Sequence, residues 1–114
     1  MPSYIVMLRG SPKEWRSLGA EETQKLMQKY VAWVDKLKAE KRFQGGAPLT
    51  ENSKLLKREG DEVLLIDGPY AETKEAVTGY FLIEAAGDDQ AADIARTCPA
   101  LLHGETVEVT ELGV

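Results

Sequence analysis

Acid, phenol and ammonium groups concentrate in one short string, where Asp67, Tyr70, Glu72 and Lys74 fall within DGPYAETKE. A carboxylate held beside a lysine in a cleft can act as a general acid or base once its pKa is displaced toward neutrality. In the plainer alternative Asp67 bonds backbone groups of a tight turn at Gly68 and Pro69, Tyr70 packs on a helix, and Glu72 and Lys74 are surface charges. Arg9 closes an apolar run and carries a guanidinium fork suited to an anionic group, with a solvated loop arginine as the alternative. His103 has an unperturbed pKa suited to proton transfer, although no obvious partner carboxylate stands near it in sequence. Asp67 and His103 are therefore the candidate catalytic residues, and Arg9, Asp67, Tyr70, Glu72 and Lys74 the candidate ligand contacts. Cys98, five residues before His103, is expected to be a small buried apolar residue rather than a nucleophile. Trp15 stands outside any periodic stripe and is expected to lid the core or line a cleft.

Other chemistries are poorly supplied. One His and one Cys cannot build a typical zinc or copper centre, and no internal disulfide is possible, so neither a metal nor another cofactor is expected. A formal charge of −5, with basic residues interleaved among acids as in KLKAEKR, argues against direct nucleic-acid binding. With 43% hydrophobic and 29% charged residues and no apolar run long enough to span a bilayer, a single folded domain over residues 1–114 in the cytoplasm is expected. The N-terminus MPSYIVMLRG lacks the basic start of a signal peptide.

Periodicity and turn residues divide the chain into strands and helices. Tyr4 to Leu8 is a short apolar run of β-formers. From Glu21 to Lys41, Leu26, Tyr30, Trp33, Val34 and Leu37 recur at three- and four-residue intervals and predict an amphipathic helix, with acids in its first turn and bases near its last. Phe43 to Leu49 predicts a strand bulged at Gly45 and Gly46. A hairpin follows, Lys54 to Lys57 and Glu62 to Ile66, turning at Glu59, Gly60 and Asp61. Val77 to Ala85 is the strongest strand. Asp88 to Cys98 predicts a second helix with Asp88 as its N-cap, Pro99 as its stop, and Ala91, Ile94, Ala95 and Cys98 on its buried face. His103 falls in a loop before a final alternating strand, Glu105 to Leu112.

This order is the split βαβ pattern of an α+β, ferredoxin-like fold with an added β-hairpin. Two helices cover one face of such a sheet, yet the strands at Tyr4 to Leu8 and Tyr80 to Ile83 are apolar on both faces. A strand apolar on both faces needs two coverings. Pairing of bare faces in a homodimer is the expected solution, with coverage by the chain's own hairpin as the alternative.

The stretch Asp67 to Pro99 resembles the YCII-related family, specifically its DGPF-domain branch, through the string DGP-[FY]-x-E-x-K-E. Tyr30 to Leu49 and Val107 to Leu112 are similar to that branch in order and spacing. The resemblance implies a dimeric α/β-barrel of ferredoxin-like protomers. It also implies an enzymatic role resting on a histidine near the start of the first helix and an aspartate just before a proline after the second. Here the first helix has no histidine and Cys98 precedes Pro99, so neither residue transfers. The branch is further similar to proteins associated with extracytoplasmic-function sigma factors, a remote third possibility.

Two function classes compete. One is a binding protein whose cleft, near the DGPY loop or at the dimer interface, holds a small anionic metabolite. The other is a cofactor-independent enzyme performing hydrolysis, elimination or isomerisation by acid/base chemistry.

Overall fold

The alternation of Tyr4, Val6 and Leu8 with Ile5 and Met7 sends two apolar sets to opposite faces of one strand, and the rest of the fold is built around it. A computed structural model describes residues 1–11, 17–67 and 76–113. Its elements are β1 (Ser3–Gly10), α1 (Ala20–Ala39), β2 (Phe43–Pro48), β3 (Lys54–Glu59), β4 (Glu62–Asp67), β5 (Ala76–Glu84), α2 (Asp88–Arg96), a 3-10 helix (Pro99–His103) and β6 (Thr106–Glu111). The main sheet is antiparallel in the order β2-β5-β1-β6, which is the ferredoxin-like arrangement, and β3 and β4 form a separate two-stranded sheet. Among the described residues no helix is long and apolar enough to cross a membrane.

Cross-strand register assigns the faces. Tyr4, Val6 and Leu8 stand opposite Ile83, Phe81 and Gly79, and Val6 and Leu8 also stand opposite Val109 and Val107. This set meets Leu26, Tyr30, Trp33 and Leu37 of α1 and Ala91 of α2 in one core. The α1 stripe is therefore buried as its spacing predicts. Trp33 ties the layers together: its indole Nε1 donates to Thr97 Oγ1 at 2.8 Å, and its ring meets Phe81 edge-on at 5.0 Å. On the other face Ile5 and Met7 stand opposite Leu82 and Tyr80, all only part-buried, with Arg9, Glu108 and Thr110 around them.

The hairpin does not lid that face. Every residue of β4 is exposed, and so are all of β3 except Leu55, with Leu56 and Val63 each 62% exposed. The radius of gyration is 16.0 Å, against roughly 13 Å for a compact domain of this length. The hairpin accordingly extends beside the body. Gly60, at φ 62, supplies the positive dihedral that its two-residue turn requires.

Two sequence expectations change. The N-cap of α2 is Gly87 rather than Asp88. The Asp88 carboxylate serves a tertiary partner instead, accepting a hydrogen bond from the Tyr4 hydroxyl at 2.9 Å. His103 lies in the 3-10 helix that Pro99 opens, not in a loop.

Burial, then the bond and charge of Asp88, push the Tyr4 phenol up from 10.0 to about 12, and burial pushes the Cys98 thiol up from 9.0 to about 11. Below the ordinary values both folded and unfolded chains keep these protons. Above them the unfolded chain releases protons that the fold retains, so stability falls as pH rises, through Cys98 from pH 9 and Tyr4 from pH 10. Urea midpoints should therefore decline steadily above pH 9, with a shallower initial decline in Cys98→Ala; a flat profile would refute the linkage.

Candidate functional site

A helix laid over the centre of a four-stranded sheet leaves its flank uncovered unless large side chains fill the gap, and here the strands supply glycine. Gly46 of β2 and Gly79 of β5 stand opposite Phe81 and Pro48 respectively, and both line a cleft of about 320 Å³ between α1 and the β2–β5 flank. Tyr30, Val34 and Lys38 line its helix side, and Phe43, Thr78 and Phe81 its sheet side. Lys38 Nζ sits 5.5 Å above the Phe43 ring, and Met27 and Val31 form an exposed apolar lip.

Behind the inner wall lies a polar group assembled from three elements. The β1–β5 register slips between Leu8 and Arg9, which pair with Gly79 and Val77, so Thr78 is the extra residue of a β-bulge. Bulges re-aim side chains. Thr78 Oγ1 donates to Glu105 Oε2 at 2.6 Å, with the Leu8 carbonyl a more distant acceptor at 3.3 Å. Glu105 is buried, at 5% exposure, and its other oxygen lies 3.9 Å from His103 Nδ1. Gly104, at φ 85, turns the chain from the 3-10 helix into β6, and Gly10 makes room for the carboxylate. A Cβ on Gly10 would lie 2.7 Å from Glu105 Cγ.

Tyr30 joins this group from α1. Its ring meets His103 edge-on at 6.5 Å, and its buried hydroxyl has no hydrogen-bond partner among the described residues. Burial, with Cys98 and Glu105 nearby, pushes its phenol well above the ordinary range. The Cys98 thiol, buried and shifted upward, is protonated at neutral pH and is no nucleophile.

The residues singled out by type and spacing are dispersed. Asp67 ends the exposed hairpin in an ion pair with Lys54. Arg9 pairs with Glu108 at 3.4 Å on the open sheet face, away from the cleft. Tyr70, Glu72, Lys74 and Trp15 lie outside the described residues. His103 alone joins the polar group, and the carboxylate it faces is Glu105, only two residues on. Glu105 was hidden because a glutamate at the start of an alternating strand reads as a solvent residue. Thr78 and Gly79 carried a faint signal, a threonine and glycine interrupting the strongest apolar strand. Among the described residues no three His, Cys, Asp or Glu side chains converge on a metal-binding point.

The YCII-related domain family matches residues 3–112 of this chain. Uncharacterized protein R00369 of Rhizobium meliloti (strain 1021) is 46% identical over 41 residues, which are 36% of this chain and 33% of that protein. The match thus spans a third of that relative's length.

Proposed function

We propose, for a chain that belongs to the YCII-related family, that it binds a small molecule in the cleft between α1 and the β2–β5 flank and does so as a homodimer. The observation that carries the binding role is the cleft itself: about 320 Å³, walled by Tyr30, Val34, Phe43 and Phe81 and backed by a buried carboxylate. Ligand sites are typically apolar hollows of roughly 300–1,000 Å³ with a few convergent polar groups. β5 begins at Ala76, two residues before Thr78. The DGPY segment with Tyr70, Glu72 and Lys74 is proposed as the ligand's outer contact on that account.

The part-buried Ile5, Met7, Tyr80 and Leu82 support pairing of open sheet faces, since this face is apolar at its centre and polar at its rim. Light scattering should give twice the protomer mass of 12.6 kDa. A mass of one protomer would remove the dimer.

Val34→Trp tests the cleft by filling it. A ligand present at 100 times its Kd should stabilise the unmodified chain by about 2.7 kcal/mol in a thermal melt. The filled variant should show almost none of this, and equal stabilisation of both would place the ligand elsewhere.

A cofactor-independent acid/base enzyme is the second reading, favoured by the proximity of His103 to the buried Glu105. It requires turnover of a bound ligand that His103→Gln abolishes while binding persists.

A further inference from the structure

We propose that the β3–β4 hairpin is the clasp of a homodimer, and that its face carrying Leu56, Val63 and Leu65 is buried against a second copy of this chain. This rests on the homodimer proposed above and adds a second contact surface to its paired sheet faces.

Register divides the hairpin into two faces, since residues opposite each other on antiparallel strands project to the same side. Leu56 pairs with Leu65, Arg58 with Val63 and Lys54 with Asp67, so these six form one face. Its centre is apolar and its ends are polar, with the Lys54–Asp67 ion pair at one end and Arg58 at the other. That is the anatomy of an interface patch. The opposite face, with Leu55, Leu64 and Ile66, is the better covered. Leu64 and Ile66 are 37% and 41% exposed, against 62%, 62% and 56% for Leu56, Val63 and Leu65. A two-stranded hairpin in water is marginal at best without a layer packed on it. On the Leu56 face the chain's own described residues supply none.

The area involved points to a second copy as that layer. The chain exposes 7951 Å² at a mass of 12.6 kDa, whereas a compact monomer of that mass exposes roughly 6,200 Å². The excess of about 1,750 Å² falls within the roughly 1,000–2,500 Å² that each subunit of an obligate homodimer buries. The sheet face alone cannot supply it, because its apolar centre is only Ile5, Met7, Tyr80 and Leu82, already part-buried, and even a standard interface engages roughly 20–30 residues a side. The hairpin holds the remainder: five of the twelve large apolar side chains exposed among the described residues are Leu56, Val63, Leu64, Leu65 and Ile66. Its position suits the role. The hairpin follows β2, which is an edge strand of the main sheet. A ribbon rooted at the edge of a sheet that pairs face to face stands at the seam, within reach of the other copy.

Sedimentation equilibrium over a dilution series of the full chain tests this. Two-fold symmetry applies each substitution twice, so Leu65→Glu removes two leucine contacts of roughly 1.5–3 kcal/mol each and should weaken the dimer at least about a hundredfold. Leu65→Met, which conserves volume, and Lys57→Glu, on the opposite face, should each stay within about threefold of the unmodified chain. Circular dichroism checks that each variant is folded. Should Leu65→Glu not fold, amide exchange across Leu55–Ile66 of the unmodified chain decides, and should slow at least tenfold from dilute monomer to concentrated dimer. A Leu65→Glu dimer of unchanged affinity, or hairpin exchange that ignores dimerisation, overturns the inference and leaves the dimer to the sheet faces. An equal loss in Lys57→Glu also overturns it, since charge rather than the apolar face would then hold the copies together. An unmodified chain that stays monomeric removes the homodimer, takes the inference with it, and gives the hairpin to an occupant of another kind.

Discussion

Gly46→Ala is expected to destabilise the fold by about 2–6 kcal/mol, combining overpacking of about 1–3 kcal/mol with a comparable cost of backbone strain. Gly46 has φ 157, a value that L side chains rarely adopt, and a Cβ there would lie 2.6 Å from both the Tyr80 carbonyl oxygen and Phe81 Cδ1. The ring can give way; the carbonyl belongs to the β2–β5 ladder and cannot move without breaking it. Net stabilities of domains are typically about 5–15 kcal/mol, so the loss is a large share of the total. Urea denaturation followed by circular dichroism measures it. Gly113→Ala is the control, because nothing lies within 4 Å of a Cβ at that position. A loss below about 0.5 kcal/mol, the usual range for an innocuous surface change, would mean that β2 does not approach β5 this closely.

Trp33→Ala should cost about 3–5 kcal/mol, the usual range for deleting a large buried aromatic. Trp33 is 7% exposed and is the side chain that both caps Phe81 and reaches Thr97 beyond the end of α2. Its removal leaves a cavity where three elements meet. Trp33→Phe keeps the ring contact but loses the Nε1 donor, and should recover more than half of the loss. If the phenylalanine variant is as unstable as the alanine one, the indole hydrogen bond outweighs the packing, against the usual net worth of about 0.5–1.5 kcal/mol for such a bond.

Much of the architecture was legible because it is written in periodicity. The 3.6-residue recurrence of Leu26, Tyr30, Trp33 and Leu37 and the two-faced alternation of β1 are local patterns, and local patterns survive into the fold. The bulge expected at Gly45 and Gly46 occurs between Phe43 and Gly45. Three of the features missed have distant partners. Asp88 looks like an N-cap until Tyr4, at the other end of the sequence, takes its carboxylate. Glu105 looks solvated until Gly10 makes room for its side chain. Thr78 looks like one more β-branched strand residue until a register slip turns it toward that carboxylate. Charges crowd in sequence at DGPYAETKE, whereas among the described residues the buried carboxylate, Glu105, takes its contacts from β5 and the 3-10 helix.

The placement of β1 also governs how the chain folds. It is an inner strand, and both its neighbours come late: Tyr4 pairs with Ile83 on β5 and with Glu111 on β6. Such long-range pairings put folding in the slower range of two-state domains, because the loop must close before the contacts reward it. At synthesis rates of about 5–20 residues per second, β1 waits on the order of 5–20 s between its own emergence and that of β6. Through that interval Tyr4, Ile5, Val6, Met7 and Leu8 form a β-prone apolar segment with unpaired backbone on both edges, which makes this run the point at which a nascent chain most needs a chaperone.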